Sequence, residues 1–184
     1  INEFSQTPYF WRDSQRPGPH NLYTSTERLR LHPAVTSALA PNLLPLTWQH
    51  NDAVSTSPQQ LTISYPEPYT ARWQYTVATQ QFHRLDANGG AETTRSGSPI
   101  ATDTVVVQFT DIKILDAIGR RSIRTLGEGE AMVVSKGTME LARWVRKNPF
   151  DRTTLVNVLG EPLPVNPGKI WWTIVPKNTA VTFE

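Results

Sequence analysis

The stretch from residue 104 to 147 constrains this chain most. It opens Thr104-Val105-Val106-Val107-Gln108-Phe109-Thr110, followed by Asp111 and Ile112-Lys113-Ile114-Leu115. Such a density of β-branched and aromatic residues suits pleated strands and fits a helix poorly. Val105, Val107 and Phe109 share one phase of a two-residue period, and Ile112 and Ile114 fall on the other. A bulge near Thr110 and Asp111 reconciles them, and so does a strand buried on both faces. Residues 116–119 make the next turn, and strand patterns resume over 122–126 and 130–135. Met132 and Val134 alternate with Ala131 and Val133, again a pattern for burial on both faces. Residues 138–147 fit a helix with Leu141, Trp144 and Val145 on one face, or a strand with Met139, Leu141 and Val145 together. The hairpin signal Lys136-Gly137 just ahead favours a strand paired back onto 130–135.

The rest of the chain repeats this grammar. After residue 60 the period is two: Leu61, Ile63 and Tyr65, then Trp73, Tyr75 and Val77, alternate with polar residues. Phe82 and Leu85 belong to a further strand, out of strict phase. Asn88-Gly89-Gly90 is a turn, and residues 91–99 make a longer loop. Strands over 153–158 and 163–165, and a last one over 170–175, are separated by turns at 159–161 and 166–168. Fifteen prolines in 184 residues suit short strands and tight turns better than long helices. The fold expected is mainly β, a sandwich or partly closed barrel of short strands.

Residues 1–49 differ. Phe4, Tyr9, Phe10 and Trp11 give an aromatic start, and the segment from Arg12 to Tyr23, with Pro17-Gly18-Pro19, reads as an extended turn. Thr24 and Glu27 have capping-box spacing for a short helix over 25–31. Pro33 opens a second, over 33–40, which Pro41 stops. Two short helices hold no core of their own. Residues 1–49 are therefore expected to be the tail of an upstream domain, residues 50–60 a polar linker, and 50–184 a β-rich C-terminal domain. The chain begins at Ile1, not methionine, so it is expected to be a piece of something longer.

Several functions are disfavoured by residue type. There is no cysteine, hence no disulfide, thiol nucleophile or cysteine-held zinc. His20, His32, His50 and His83 make no close pair, and His50 with Asp52 is the nearest approach to a metal pattern. No metal or other cofactor is expected. Gly127-Glu128-Gly129 lacks a third glycine and precedes a strand pattern, so it reads as a tight turn rather than a phosphate loop. No Gly-x-Ser-x-Gly elbow exists. No apolar run approaches the ~20 residues of a membrane-spanning helix. The net charge of +2 is too mild to point to nucleic acid.

Two groups of residues are candidate sites. Arg12, Arg16, His20 and Asn21 cluster around a proline-rigidified turn and suit an anion or a sugar. The alternative is that His20 and Asn21 hydrogen-bond the backbone of that turn. Arg120, Arg121 and Arg124, with Arg143 and Arg146, form a positive face for an acidic polymer if their strands are adjacent. Against this stand Glu128, Glu130 and Glu140, which balance them. Trp171 and Trp172 point to opposite faces of a strand, and whichever is exposed is a candidate ligand contact.

Tyr9-Phe10-Trp11-Arg12 followed by Pro19-His20-Asn21-Leu22-Tyr23 resembles the end of the first domain of YerB-type bacterial lipoproteins. The remainder is similar to that family's second domain. The matching features are Tyr75 with Arg84, Val105-Val106-Val107-Gln108, Gly127-Glu128-Gly129-Glu130-Ala131, Lys136-Gly137, Trp144 with the basic residues after it, Gly160, and Pro167-Gly168-Lys169-Ile170-Trp171-Trp172 ending in Ile174-Val175-Pro176. Asp103 departs from the asparagine expected there. The resemblance implies an extracytoplasmic lipoprotein, held to the membrane only through an upstream lipid anchor, with no known activity. The partners it implies are the missing upstream domain and a cell-wall polymer or envelope protein. The function expected is a binding or scaffold module without catalysis. The alternatives are an enzyme acting on wall glycan or peptide, and an anionic-polymer binder using the arginines.

Overall fold

The structure, a computed structural model, describes residues 7–36, 46–49, 53–57, 59–65 and 69–184. The chain divides into two units, Ile1–Leu43 and Leu44–Glu184.

In the first unit a single 3-10 turn, Thr7–Tyr9, leads into β1 (Phe10–Arg12), which pairs antiparallel with β2 (Leu22–Thr24). The expected extended turn is thus a small ribbon closed by a loop. Helix α1 spans Thr26–Arg30, and its cap is Ser25, whose Oγ accepts the Arg28 N–H at 3.2 Å. Thr24, expected to cap, ends β2 instead, and its hydroxyl donates to the Tyr9 carbonyl at 2.7 Å. Helix α2 (Pro33–Thr36) starts at the expected proline. Residues 37–40 of that expected helix, and Pro41, lie outside the described residues, as do His50 and Asp52.

The second unit contains β3 (Gln60–Ser64), β4 (Thr70–Thr76), β5 (Gln81–Leu85), β6 (Ala101–Thr102), β7 (Thr104–Thr110), β8 (Ile112–Ile114), β9 (Arg121–Ile123), β10 (Gly127–Ser135), β11 (Thr138–Arg146), β12 (Thr154–Val156), β13 (Ile170–Pro176) and β14 (Ala180–Phe183). They form two five-stranded sheets, ordered β14-β3-β4-β5-β6 and β12-β11-β10-β7-β13, plus the separate ribbon β8-β9. Neighbours run antiparallel except β13 and β7, which are parallel, with Ile170 opposite Thr104. The result is sandwich-like and not a closed barrel.

The core follows from strand alternation. Between the sheets lie Leu61, Ile63, Trp73, Tyr75 and Phe82 from one side, and Val105, Val107, Val134 and Val175 from the other. The opposite face of the second sheet is also covered: Val106, Ala131, Val133, Ala142 and Trp144 pack with Leu155, Leu163 and Val165. So β7 and β10 are buried on both faces, one of the two arrangements their sequences allow. No bulge reconciles Ile112 with Val107. The chain leaves the sheet after Thr110 and Ile112 starts the separate ribbon.

Residues 138–146 form β11, and the β10–β11 hairpin turns at Lys136 and Gly137, both with positive φ. Residues 53–57 of the expected linker are tied down: the Ser55 N–H donates to the Lys136 carbonyl at 2.9 Å, and Val54 packs on the core. The expected strand over 163–165 appears only as isolated bridges, and β14 follows the strand expected to be last. Asp103 accepts at both carboxylate oxygens, from the Lys169 N–H at 2.7 Å and from Gln81 Nε2 at 3.0 Å. An asparagine offers only one acceptor atom there, which accounts physically for the acid.

Candidate functional site

The ribbon of the first unit holds the first predicted cluster. Asn21 is consumed internally. Its Oδ1 accepts from Arg12 Nη1 at 2.8 Å, and its Nδ2 donates to the carbonyls of Asp13 and Arg16 at 3.1 and 3.2 Å. It therefore latches the loop, and His20 beside it is exposed. The same ribbon carries a ladder not foreseen from the sequence. Arg28 lies over Trp11 at 4.5 Å, Trp11 stacks on Tyr23 at 6.1 Å, and Arg16 lies 5.8 Å from Tyr23.

In the second unit Arg124, Arg143 and Arg146 come together where β10 meets β11, while Arg120 and Arg121 belong to the β8-β9 ribbon. Most of their charge is spent locally. Arg124 holds Asp111 at 2.8 Å and the Glu128 carbonyl at 3.1 Å, and Arg143 holds the Glu128 carboxylate at 2.6 Å. Arg146 donates to the Pro149 carbonyl at 2.6 Å, and Arg120 pairs with Asp116. Hydrogen bonds from Lys177, then Arg124, hold the Asp111 carboxyl below the usual carboxylate range. The resulting stabilisation is present above the unfolded value of about 3.9 and is lost as pH falls through the lower folded value. Asp111→Asn should therefore lower the melting temperature at neutral pH, and the gap from the parent should close as pH falls through the lowered carboxyl value. Thermal melts across acid pH check this. A gap independent of pH would show that the Asp111 charge contributes nothing.

The site with the most distinctive chemistry was not foreseen. On β5, Phe82 and Arg84 share a phase, so Arg84 points inward beside Trp73, its partner on β4. It is 8% exposed. Its guanidinium carbon lies 5.4 Å from the Trp73 ring, 5.6 Å from Trp171 and 5.8 Å from Tyr69, within cation–π range of all three. Trp73 and Trp171 have their rings 5.0 Å apart. Arg84 Nη2 donates to the Tyr69 hydroxyl. Arg84 Nε lies 3.3 Å from Glu92 Oε2, but its N–H has no aligned acceptor among the described residues, so that contact is Coulombic rather than a directed hydrogen bond. The buried Trp73 indole N–H likewise has no acceptor among the described residues. Tyr69, Arg84 and Glu92 line a cleft of about 360 Å³ together with Arg72 and Asp86, among others. Tyr69 and Trp171 keep 52% and 40% of their surface exposed.

This arrangement is a buried cation with spare donor capacity behind aromatic faces. It suits recognition of an anionic group on a polar ligand. Among the described residues no three His, Asp or Glu side chains gather where they would hold a metal, and no helix is long and apolar enough to cross a membrane. The one element of the site that the sequence singles out is Trp171, one of two candidate contacts.

Residues 61–172 match the family model described as "Protein of unknown function (DUF3048) C-terminal domain". The chain belongs to this family. Tyr69, Trp73, Arg84, Glu92 and Trp171 all fall inside the matched span. A protein named "Putative lipoprotein YerB", from Bacillus subtilis (strain 168), is 27% identical over 180 residues, which is 95% of this chain and 54% of the relative. The chain thus spans about half the length of that curated relative. The crystal structure of YerB from Bacillus subtilis superposes with a TM-score of 0.74 at 23% identity, covering 99% of this chain and 62% of that one. The YerB-type resemblance read from the motifs is therefore upheld, and the fold is shared.

Proposed function

We propose that this chain is the ligand-binding, non-catalytic part of an extracytoplasmic lipoprotein, and that the Arg84 cleft takes an anionic group of a cell-wall polymer. The observation that carries the reading is a guanidinium more than nine-tenths buried, whose Nε–H lacks an aligned acceptor among the described residues while it adjoins an open cleft. A buried donor left unmet is costly, and an incoming carboxylate or phosphate removes that cost. Tyr69, which lines the cleft, supplies a ring face for the uncharged part of the ligand. The name of the relative supports membrane anchorage, and wall polymer is the anionic partner proposed for an anchored domain.

Co-sedimentation with purified sacculi tests the reading. Pelleting is expected to survive high salt, because a buried charge-assisted contact is screened far less than surface attraction. Arg84→Lys keeps the charge but loses the planar fork, and should reduce retention by about tenfold or more. Glu92→Gln removes the carboxylate that competes for Arg84, and should strengthen retention. Retention unchanged in both variants, or lost with salt in the parent, would overturn the reading. In the latter case only surface charge is left as an explanation. A second reading rests on the Arg28-Trp11-Tyr23-Arg16 ladder, which places ligand at the first unit, next to His20 and shared with an upstream domain. His20→Ala would weaken retention on that reading and leave it unchanged on the first.

A further inference from the structure

The β8-β9 ribbon pairs with neither large sheet. We propose that it is a finger that docks on an anionic membrane surface. The register sets Lys113 opposite Ser122 and Ile114 opposite Arg121. Successive pairs face opposite sides of a ribbon, so Lys113 and Arg121 stand on opposite faces. Beyond them come Leu115 and the turn of residues 116–119. Ile114, Leu115 and Ile118 are 70%, 63% and 80% exposed. They cover both faces and the end of the finger. Apolar side chains spread over both faces and the end present no single face to a protein partner, and they suit the apolar boundary of a bilayer.

Several polar groups at the tip are already paired. Asp116 Oδ1 accepts the N–H groups of Ile118 and Arg120 at 3.1 and 3.2 Å, and its carbonyl accepts the Gly119 N–H at 3.0 Å. Its other carboxylate oxygen pairs with Arg120. This reduces the cost of moving the turn out of water. At the base, Asp111 is held by Arg124 and Lys177. Both carboxylates of the finger are thus neutralised. Lys113 and Arg121 have no ion-pair partner among the described residues. They form a cationic collar behind an apolar tip, complementary to anionic headgroups.

This inference is independent of the Arg84 cleft. Flotation of the 184-residue chain with phosphatidylglycerol-containing vesicles, and with vesicles of phosphatidylcholine alone, tests it. The anionic vesicles should capture about tenfold more protein. The double variant Leu115→Ser with Ile118→Ser should lose that capture at an unchanged melting temperature, since neither side chain is in the core. The double variant Lys113→Glu with Arg121→Glu should lose the preference for anionic lipid. Equal capture by both vesicle types, no capture, or capture unaffected by the serine pair would overturn the proposal. So would a parent that self-associates through these residues without binding vesicles, because the tip would then be a protein contact.

Discussion

Trp144→Ala should cost about 3–5 kcal/mol and lower the melting temperature by roughly ten degrees or more. Trp144 is fully buried on the outer face of the second sheet, among Val106, Ala131, Ala142 and Leu155. Its indole N–H donates to the Phe109 carbonyl at 2.8 Å, close to where the chain leaves the sheet for the ribbon. The Arg124 guanidinium lies 5.1 Å from its ring. Truncation therefore opens a cavity, leaves the Phe109 carbonyl on β7 without its donor and removes the surface on which Arg124 rests. Gly129 shows how closely this space is filled: a Cβ there would lie 2.6 Å from Trp144 Nε1. A marginally stable domain of 5–15 kcal/mol loses a large part of its reserve in one step. Urea unfolding reads the loss directly. A change under about 1 kcal/mol would mean that the outer core is not closed as described.

Gly137→Ala should cost about 2–5 kcal/mol, from two separate causes. Gly137 has φ of +71°, where an L side chain loses roughly 1–2 kcal/mol. Its added Cβ would also lie 2.6 Å from both Tyr75 Cε1 and Ser55 Cβ, an overlap worth about 1–3 kcal/mol. Tyr75 is a core residue, so it has little room to give. Gly119 is the control. It has φ of +82° and nothing within 4 Å of its ideal Cβ, so Gly119→Ala should show the conformational part alone. Equal losses at the two glycines, measured by urea midpoints at constant slope, would remove the packing cause.

The legible parts of the fold share one property: the information sits within a few residues. Val105-Val106-Val107 and Ala131-Met132-Val133-Val134 announce strands buried on both faces. Lys136-Gly137 announces the hairpin that settles 138–146 as a strand. Trp171 and Trp172 announce opposite faces, and the structure sends Trp172 Nε1 to Gln108 Oε1 at 2.9 Å while Trp171 reaches Arg84. What was missed depends on distant pairing. Phe10–Arg12 becomes a strand only because Leu22–Thr24 lies beside it, and Ala180–Phe183 is a strand because β3 offers an edge.

The Arg84 site was hidden for the same reason. In Gln81-Phe82-His83-Arg84-Leu85 an arginine reads as a solvated position, and Leu85 looks like its core neighbour. The sheet reverses this, because Phe82 fixes the inward phase and Arg84 shares it. The rings that make an inward arginine tolerable come from positions 69, 73 and 171, which no local pattern joins. The arginines at 120, 124, 143 and 146 were visible as clusters, but their acceptors, Asp116, Asp111, Glu128 and the Pro149 carbonyl, become apparent only once the strands are placed.

If Arg84 is a cation that waits for an anion, its own Nε–H reports on this most directly. The measurement is a nitrogen–proton correlation spectrum of the chain, recorded while soluble muropeptides from digested sacculi are added. A saturable shift of the Arg84 Nε–H is expected, accompanied by the Trp73 indole N–H, and the Trp73 shift should be lost in Arg84→Lys. Saturable shifts confined to other residues, with Arg84 and Trp73 unmoved, would contradict that reading.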